Sequence, residues 1–159
     1  MRWYKFSIVV AIGLLLELIV AVLSTLLVKE NGEWLASLTL PYFAPRSPIF
    51  YGVLSEGIYL SSVLSLALFV REKCDLPKGI LLTAGEGVSE IVTLLFFFKF
   101  TYEITSFIFA TVTMLLSVYN TSVFLSKEDA AGIARLPNLQ IKLYLWTVLY
   151  CILMINFTK

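Results

Sequence analysis

Residues 6–28 read FSIVVAIGLLLELIVAVLSTLLV, a run in which Glu17 is the only charged side chain. The hydrocarbon core of a bilayer is ~30 Å thick and an α-helix rises ~1.5 Å per residue, so about 20 apolar residues suffice to cross it. Working outward, four more runs of this kind follow, at 49–70, 80–98, 104–125 and 139–157. The stretches between them are short and hold most of the charge. In lipid the backbone must satisfy its own hydrogen bonds, and runs this long do so as helices. The sequence therefore predicts an all-α integral membrane protein, a single domain over 1–159 built as a five-transmembrane-helix bundle. The first run carries Glu17 and lacks a clear small-residue cleavage site, so it is read as a retained span rather than a signal peptide.

Composition agrees. The chain is 59% hydrophobic and 14% charged, with a mean hydropathy of +0.89, against ~45–50% and ~25% in soluble domains. A net charge of +1 supplies no field to attract nucleic acid, and no nucleic-acid partner is expected. The absence of histidine removes Ser-His and Cys-His nucleophile pairs, His-ligated zinc and His-ligated haem iron. Cys74 and Cys151 form no CxxC spacing and indicate neither a redox motif nor a disulfide framework. There is no phosphate-binding GxxxxGK[ST] motif. No catalytic residue, metal or cofactor is assigned. Basic residues predict orientation. Arg2, Lys5, Arg71, Lys73, Lys78, Lys127, Arg135 and Lys142 fall on the N-terminal side, and Lys29, Arg46, Lys99 and Lys159 on the other. The N-terminus is expected in the cytoplasm of a prokaryotic cell, with the C-terminus outside.

The first connection, 29–48, reads KENGEWLASLTLPYFAPRSP. Trp34, Leu35 and Leu38 have helical spacing and suggest a short amphipathic helix at the interface. Pro41, Pro45 and Pro48 then impose an extended path until the second helix begins. Tyr42 and Phe43 lie between the prolines. A plain reading exists, since interfacial aromatic residues anchor membrane proteins and proline favours a helix start. The functional reading is a stiff aromatic lid over one mouth of the bundle, pre-ordered so that little entropy is lost on closing.

The string Glu33-Trp34-x-x-x-Leu38-x-x-Pro41-x-x-x-Pro45-x-x-x-x-Phe50 resembles the signature of the TspO/MBR family, the tryptophan-rich sensory proteins and the translocator protein or peripheral benzodiazepine receptor. Chain length, helix count and a long first connection fit the same family. The chain departs from it where Pro45-Arg46 replaces a Pro-Pro pair. It also has Tyr42 or Phe43, Pro48 and Leu54 in place of tryptophans, and Glu86, Gly87 and Glu90 where the third helix has Asn and Trp. The fifth helix keeps an aromatic patch, Tyr144 and Trp146. The resemblance implies a TspO-like bundle, often a homodimer, with a ligand pocket capped by the first connection. Trp34, Leu38, Pro41, Tyr42, Phe43, Pro45, Phe50, Tyr144 and Trp146 are the residues it assigns there. It implies a hydrophobic small-molecule partner such as a porphyrin, a sterol or an aromatic amine-like compound. The lost tryptophans and gained acids imply weaker tetrapyrrole binding and a shift to cationic or hydroxyl-bearing ligands.

Four glutamates, Glu17, Glu56, Glu86 and Glu90, sit inside the apolar runs. A charge near the midplane costs at least a few kcal/mol, so such residues face a cavity or a partner. Glu86 and Glu90 are one turn apart and share a face. Depth counting from the ends of the second and third helices brings Glu56 near Glu90, and the two are expected to floor a shared site lined by Tyr59. No basic residue is expected at matching depth. A simple structural role, with each glutamate hydrogen-bonded to Ser, Thr or Tyr nearby, is the alternative. In the fourth helix, Thr113, Ser117, Asn120 and Thr121 form a polar stripe suited to interhelical hydrogen bonds, with Asn120 also a pocket candidate. Gly85 and Ser89 make a small-xxx-small pair for close packing or dimerisation. Phe96, Phe97, Phe98 and Phe100 are expected to anchor at an interface.

Three functions are expected in order. The first is a TspO-like protein that binds, and in doing so transports or senses, a hydrophobic or amphipathic small molecule. The second is a small proton- or cation-coupled transporter using the glutamates. The third is a sterol or lipid isomerase-type enzyme with a carboxylate acid/base pair.

Overall fold

The structure is a computed structural model and describes residues 2–72, 76–100, 102–127 and 129–157. Among the described residues every regular element is a helix: α1 (Arg2–Ser37), α2 (Pro48–Arg71), α3 (Leu76–Leu94) continuing into a π-helical turn (Leu95–Lys99), α4 (Glu103–Lys127), α5 (Asp129–Ala134) and α6 (Leu136–Phe157). Five segments are long and apolar enough to cross a membrane, with α5 and α6 counted together as one span of 28 residues. The all-helical, five-span reading holds. Cys74 lies outside the described residues.

Two boundaries differ from expectation for physical reasons. Helix α1 does not end near residue 28; it runs unbroken through 36 residues, past Gly32, to Ser37, and the first proline after it is Pro41. At ~1.5 Å per residue it is about 54 Å long, well beyond the hydrocarbon layer. Trp34 is thus on the last turns of α1, and only 38–47 are non-helical. The fifth span begins earlier than 139: α5 and α6 meet at Arg135, whose N–H donates to the Gly132 carbonyl at 3.1 Å. Pro48 opens α2 with Ser47 extended before it, as a ring with fixed φ and no N–H favours.

Helix α1 packs along α2, α2 along α6, α6 along α4 and α4 along α3, and the ring closes where the π-helical turn meets α1. The α1–α2 contact is close at Gly13, where a Cβ would stand 2.6 Å from Val63 Cγ1. Two apolar clusters mark opposite ends of the bundle. One joins Ala44, Tyr51, Phe97, Val148, Leu149 and Ile152, with Trp34, Leu38 and Tyr144 packed on it; the other joins Phe69, Phe124 and Ala131. The phenylalanine run is therefore not a uniform anchor. Phe97 is core and meets Trp34 edge-on at 4.9 Å, Phe96 stacks on Phe109 at 5.4 Å, and Phe100 remains exposed.

Candidate functional site

Between the two apolar ends lies a polar layer. Glu86 on α3 accepts from Arg135 Nη2 at 2.5 Å and from Asn120 Nδ2 at 2.8 Å on its Oε2, while its Oε1 pairs with Lys142 Nζ. Lys142 also stands 4.0 Å from Glu90. Arg135 is fully buried, with its guanidinium against Thr121 and Ser117 and over the Phe124 ring. Asn138 donates to the Ile58 carbonyl at 3.1 Å and to Ser62 at 2.6 Å, and accepts from Ser117 at 3.3 Å. The ion pairs thus join α3 to α6, and Asn120, Ser117 and Asn138 extend the layer to α4 and α2. A buried charge is tolerable only when paired and hydrogen-bonded.

This corrects the expectation that no basic residue lies at the depth of the glutamates. A fifth span over 139–157 leaves Arg135 in the connection and Lys142 within a turn of the membrane edge, whereas the span in fact starts at Asp129. Arg135, Asn138 and Lys142 are spaced i, i+3, i+7, one face of a helix, and that spacing was the available signal. The α4 stripe behaves as read: Thr113 bonds Ser89 at 2.7 Å, and Ser117 and Asn120 join the polar layer. Gly85 is on an open face with nothing packed against it, whereas Ser89 faces α4.

A cavity of about 90 Å³ opens on the first-connection side of this layer, between α2, α3, the π-helical turn, α4 and α6. Its walls include Tyr51, Phe97, Ala110, Trp146, Leu149 and Ile152, and Glu90 and Lys142 form its polar end. Trp146 is fixed by its Nε1–H donating to Thr111 at 3.0 Å. The connection 38–47 packs through Leu38, Leu40 and Ala44 on the apolar cluster that walls this cavity. Two polar tethers hold it. Asn156 accepts from the Thr39 N–H at 3.2 Å and donates to the Thr39 carbonyl at 3.1 Å; the Tyr144 hydroxyl donates to the Phe43 carbonyl at 2.6 Å.

The expected site residues divide accordingly. Trp34, Leu38 and Tyr144 brace the cap, and Pro41 is buried within it. Glu90 and Trp146 line the cavity. Phe43 and Pro45 are in the cap, at its surface or half-buried, whereas Tyr42 is 93% exposed and Phe50 59% exposed, both turned outward. Glu86 and Asn120 belong to the ion-pair layer. Glu56 stands beside Glu17, Tyr59 is close to both Glu56 and Glu90, and Tyr59 lines a second cleft together with Glu17, Glu86 and Glu90.

Comparison with family models, curated proteins and solved structures finds no significant match.

Proposed function

We propose that the chain is a TspO-like membrane protein that binds a small hydrophobic or amphipathic molecule in the central cavity beneath connection 38–47. The observation that carries this reading is a void left in an otherwise packed apolar end, under a cap fastened by Asn156 and Tyr144. Interiors normally close such space, and a pocket with apolar walls and a few polar groups is the usual form of a small-molecule site. The walls supply affinity, and Glu90 and Lys142 at one end supply orientation. About 90 Å³ suits a compact ring; drug-sized pockets begin near ~300 Å³. A porphyrin or sterol, which the sequence resemblance implies, would need the cap to swing aside. In this reading the N-terminus is cytoplasmic.

The test uses indole and the purified full chain, with binding read by native mass spectrometry. Wild type is expected to bind, and Ala110→Phe, which fills the cavity, to weaken binding at least about tenfold. Equal binding by the two proteins refutes the site.

A second reading, transport, has one observation in its favour. Glu90 and Lys142 line both the central cavity and the second cleft, so one pair of side chains separates two chambers. Uptake of indole into proteoliposomes that ignores proton and sodium gradients excludes the coupled form of this reading. Glu86 is unsuited to acid/base chemistry, because both its oxygens are held by Arg135 and Lys142.

A further inference from the structure

The second cleft lies on the other side of the Glu90–Lys142 wall, between α1, α2 and α3. It holds about 350 Å³, within the range of small-molecule sites. It exists because α1 meets the third span chiefly at the π-helical turn and diverges from α3 itself. Its apolar sides come from Val9, Ile12, Leu16, Val63, Leu66 and Ile80. Ile12, Leu16 and Ile80 are each about half exposed, so the cleft opens sideways towards the acyl chains rather than to water.

Its inner end is polar and incompletely satisfied. Glu17 is 7% exposed, and no hydrogen-bond donor meets its Oε2; the Tyr59 hydroxyl and Thr83 Oγ1 are likewise buried without a partner. All three residues line this cleft. Buried polar atoms without partners are rare, and each calls for an explanation. The charges are also unequal. Glu17 is hydrogen-bonded to Glu56; Glu86, Glu90 and Lys142 also line the cleft, and Glu86 already engages that lysine as well as Arg135. Among the described residues no three acidic or thiol groups come together to hold a metal ion.

We propose that this lateral cleft binds an amphipathic primary amine, with its ammonium head among Glu17, Tyr59 and Thr83 and its alkyl chain running out between α1 and α3. An ammonium brings three N–H donors and no acceptor. It matches three vacant acceptor atoms and offsets the excess of acid. An anionic chain meets carboxyl groups and is repelled; an alcohol brings one donor and no charge. The alkyl chain replaces lipid contacts along the apolar sides. The site is separate from the central cavity and does not depend on that cavity holding a ligand.

The test compares dodecylamine, dodecanol and dodecanoate on the full chain in nanodiscs of zwitterionic lipid, with bound stoichiometry read by native mass spectrometry. Dodecylamine is expected to be retained one per chain, at least about tenfold more tightly than dodecanol, with dodecanoate not retained. Glu17→Gln should weaken amine binding at least about tenfold. Ile12→Trp, on an exposed face of α1, should block the cleft even if Glu17→Gln folds poorly. Ala110→Phe should leave amine binding unchanged while weakening that of indole, so the two sites fail or hold separately. Equal retention of all three chains, or amine binding unaltered by Glu17→Gln and Ile12→Trp, overturns the proposal.

Discussion

Arg135 is the side chain whose burial asks most of its surroundings. It is completely enclosed, and its guanidinium is matched by the Glu86 carboxylate, two hydroxyls and an aromatic face. Removing one member of a buried ion pair leaves an uncompensated charge and costs ~3–5 kcal/mol, whereas replacing the whole set with apolar side chains is often neutral. Glu86→Gln is therefore expected to lower the thermal unfolding midpoint in detergent strongly, since it strands Arg135 and leaves Lys142 only Glu90, at 4.0 Å. The triple replacement Glu86→Leu, Arg135→Met, Lys142→Met should recover most of that loss. If Glu86→Gln melts with wild type, the ion pairs do not hold the bundle as described. The network was only half legible in the sequence. The acids stood out against an apolar background, but their partners lie 49 and 56 positions away, and only the helical register of Arg135, Asn138 and Lys142 hinted at a shared face.

In the second half of the first connection sequence and structure agree closely. Three prolines within eight residues forbid a continuing helix, and the chain does run non-helically from 38 to 47. What the prolines could not reveal is the fastening. Asn156, 117 residues distant, meets the N–H and the carbonyl of Thr39 as a neighbouring strand would. Each such bond contributes ~1 kcal/mol, so Asn156→Leu should loosen the cap by about 2 kcal/mol. Hydrogen exchange over 38–47 is then expected to speed up roughly thirtyfold, while exchange in the middle of α4 stays unchanged. Unaltered protection in the cap would show that apolar packing of Leu38, Leu40 and Ala44 holds it alone.

At the scale of the whole molecule, hydropathy gave the number of spans but not their order. A lipid-facing side chain is as apolar as a core one, so α1, α2 and α6 carry little one-sided pattern; only polar residues, such as those of the α4 stripe, mark an inward face. The ring α1–α2–α6–α4–α3 came from pairings that no single helix displays. The topology of the ends, by contrast, follows from counting. Helix α5 has six residues, about 9 Å at ~1.5 Å per residue, and cannot cross by itself. It joins α6 as one span, the total stays odd, and the two termini lie on opposite sides. Setting aside Arg135 and Lys142, which the bundle encloses, six basic residues on the N-terminal side still outnumber four on the other, so the proposed orientation keeps the N-terminus cytoplasmic. Alkaline phosphatase fused after Lys159 in a bacterial host should accordingly be active, and a green fluorescent protein fused there should be dark. The opposite pattern would place the first connection, and with it the capped mouth of the central cavity, on the cytoplasmic face.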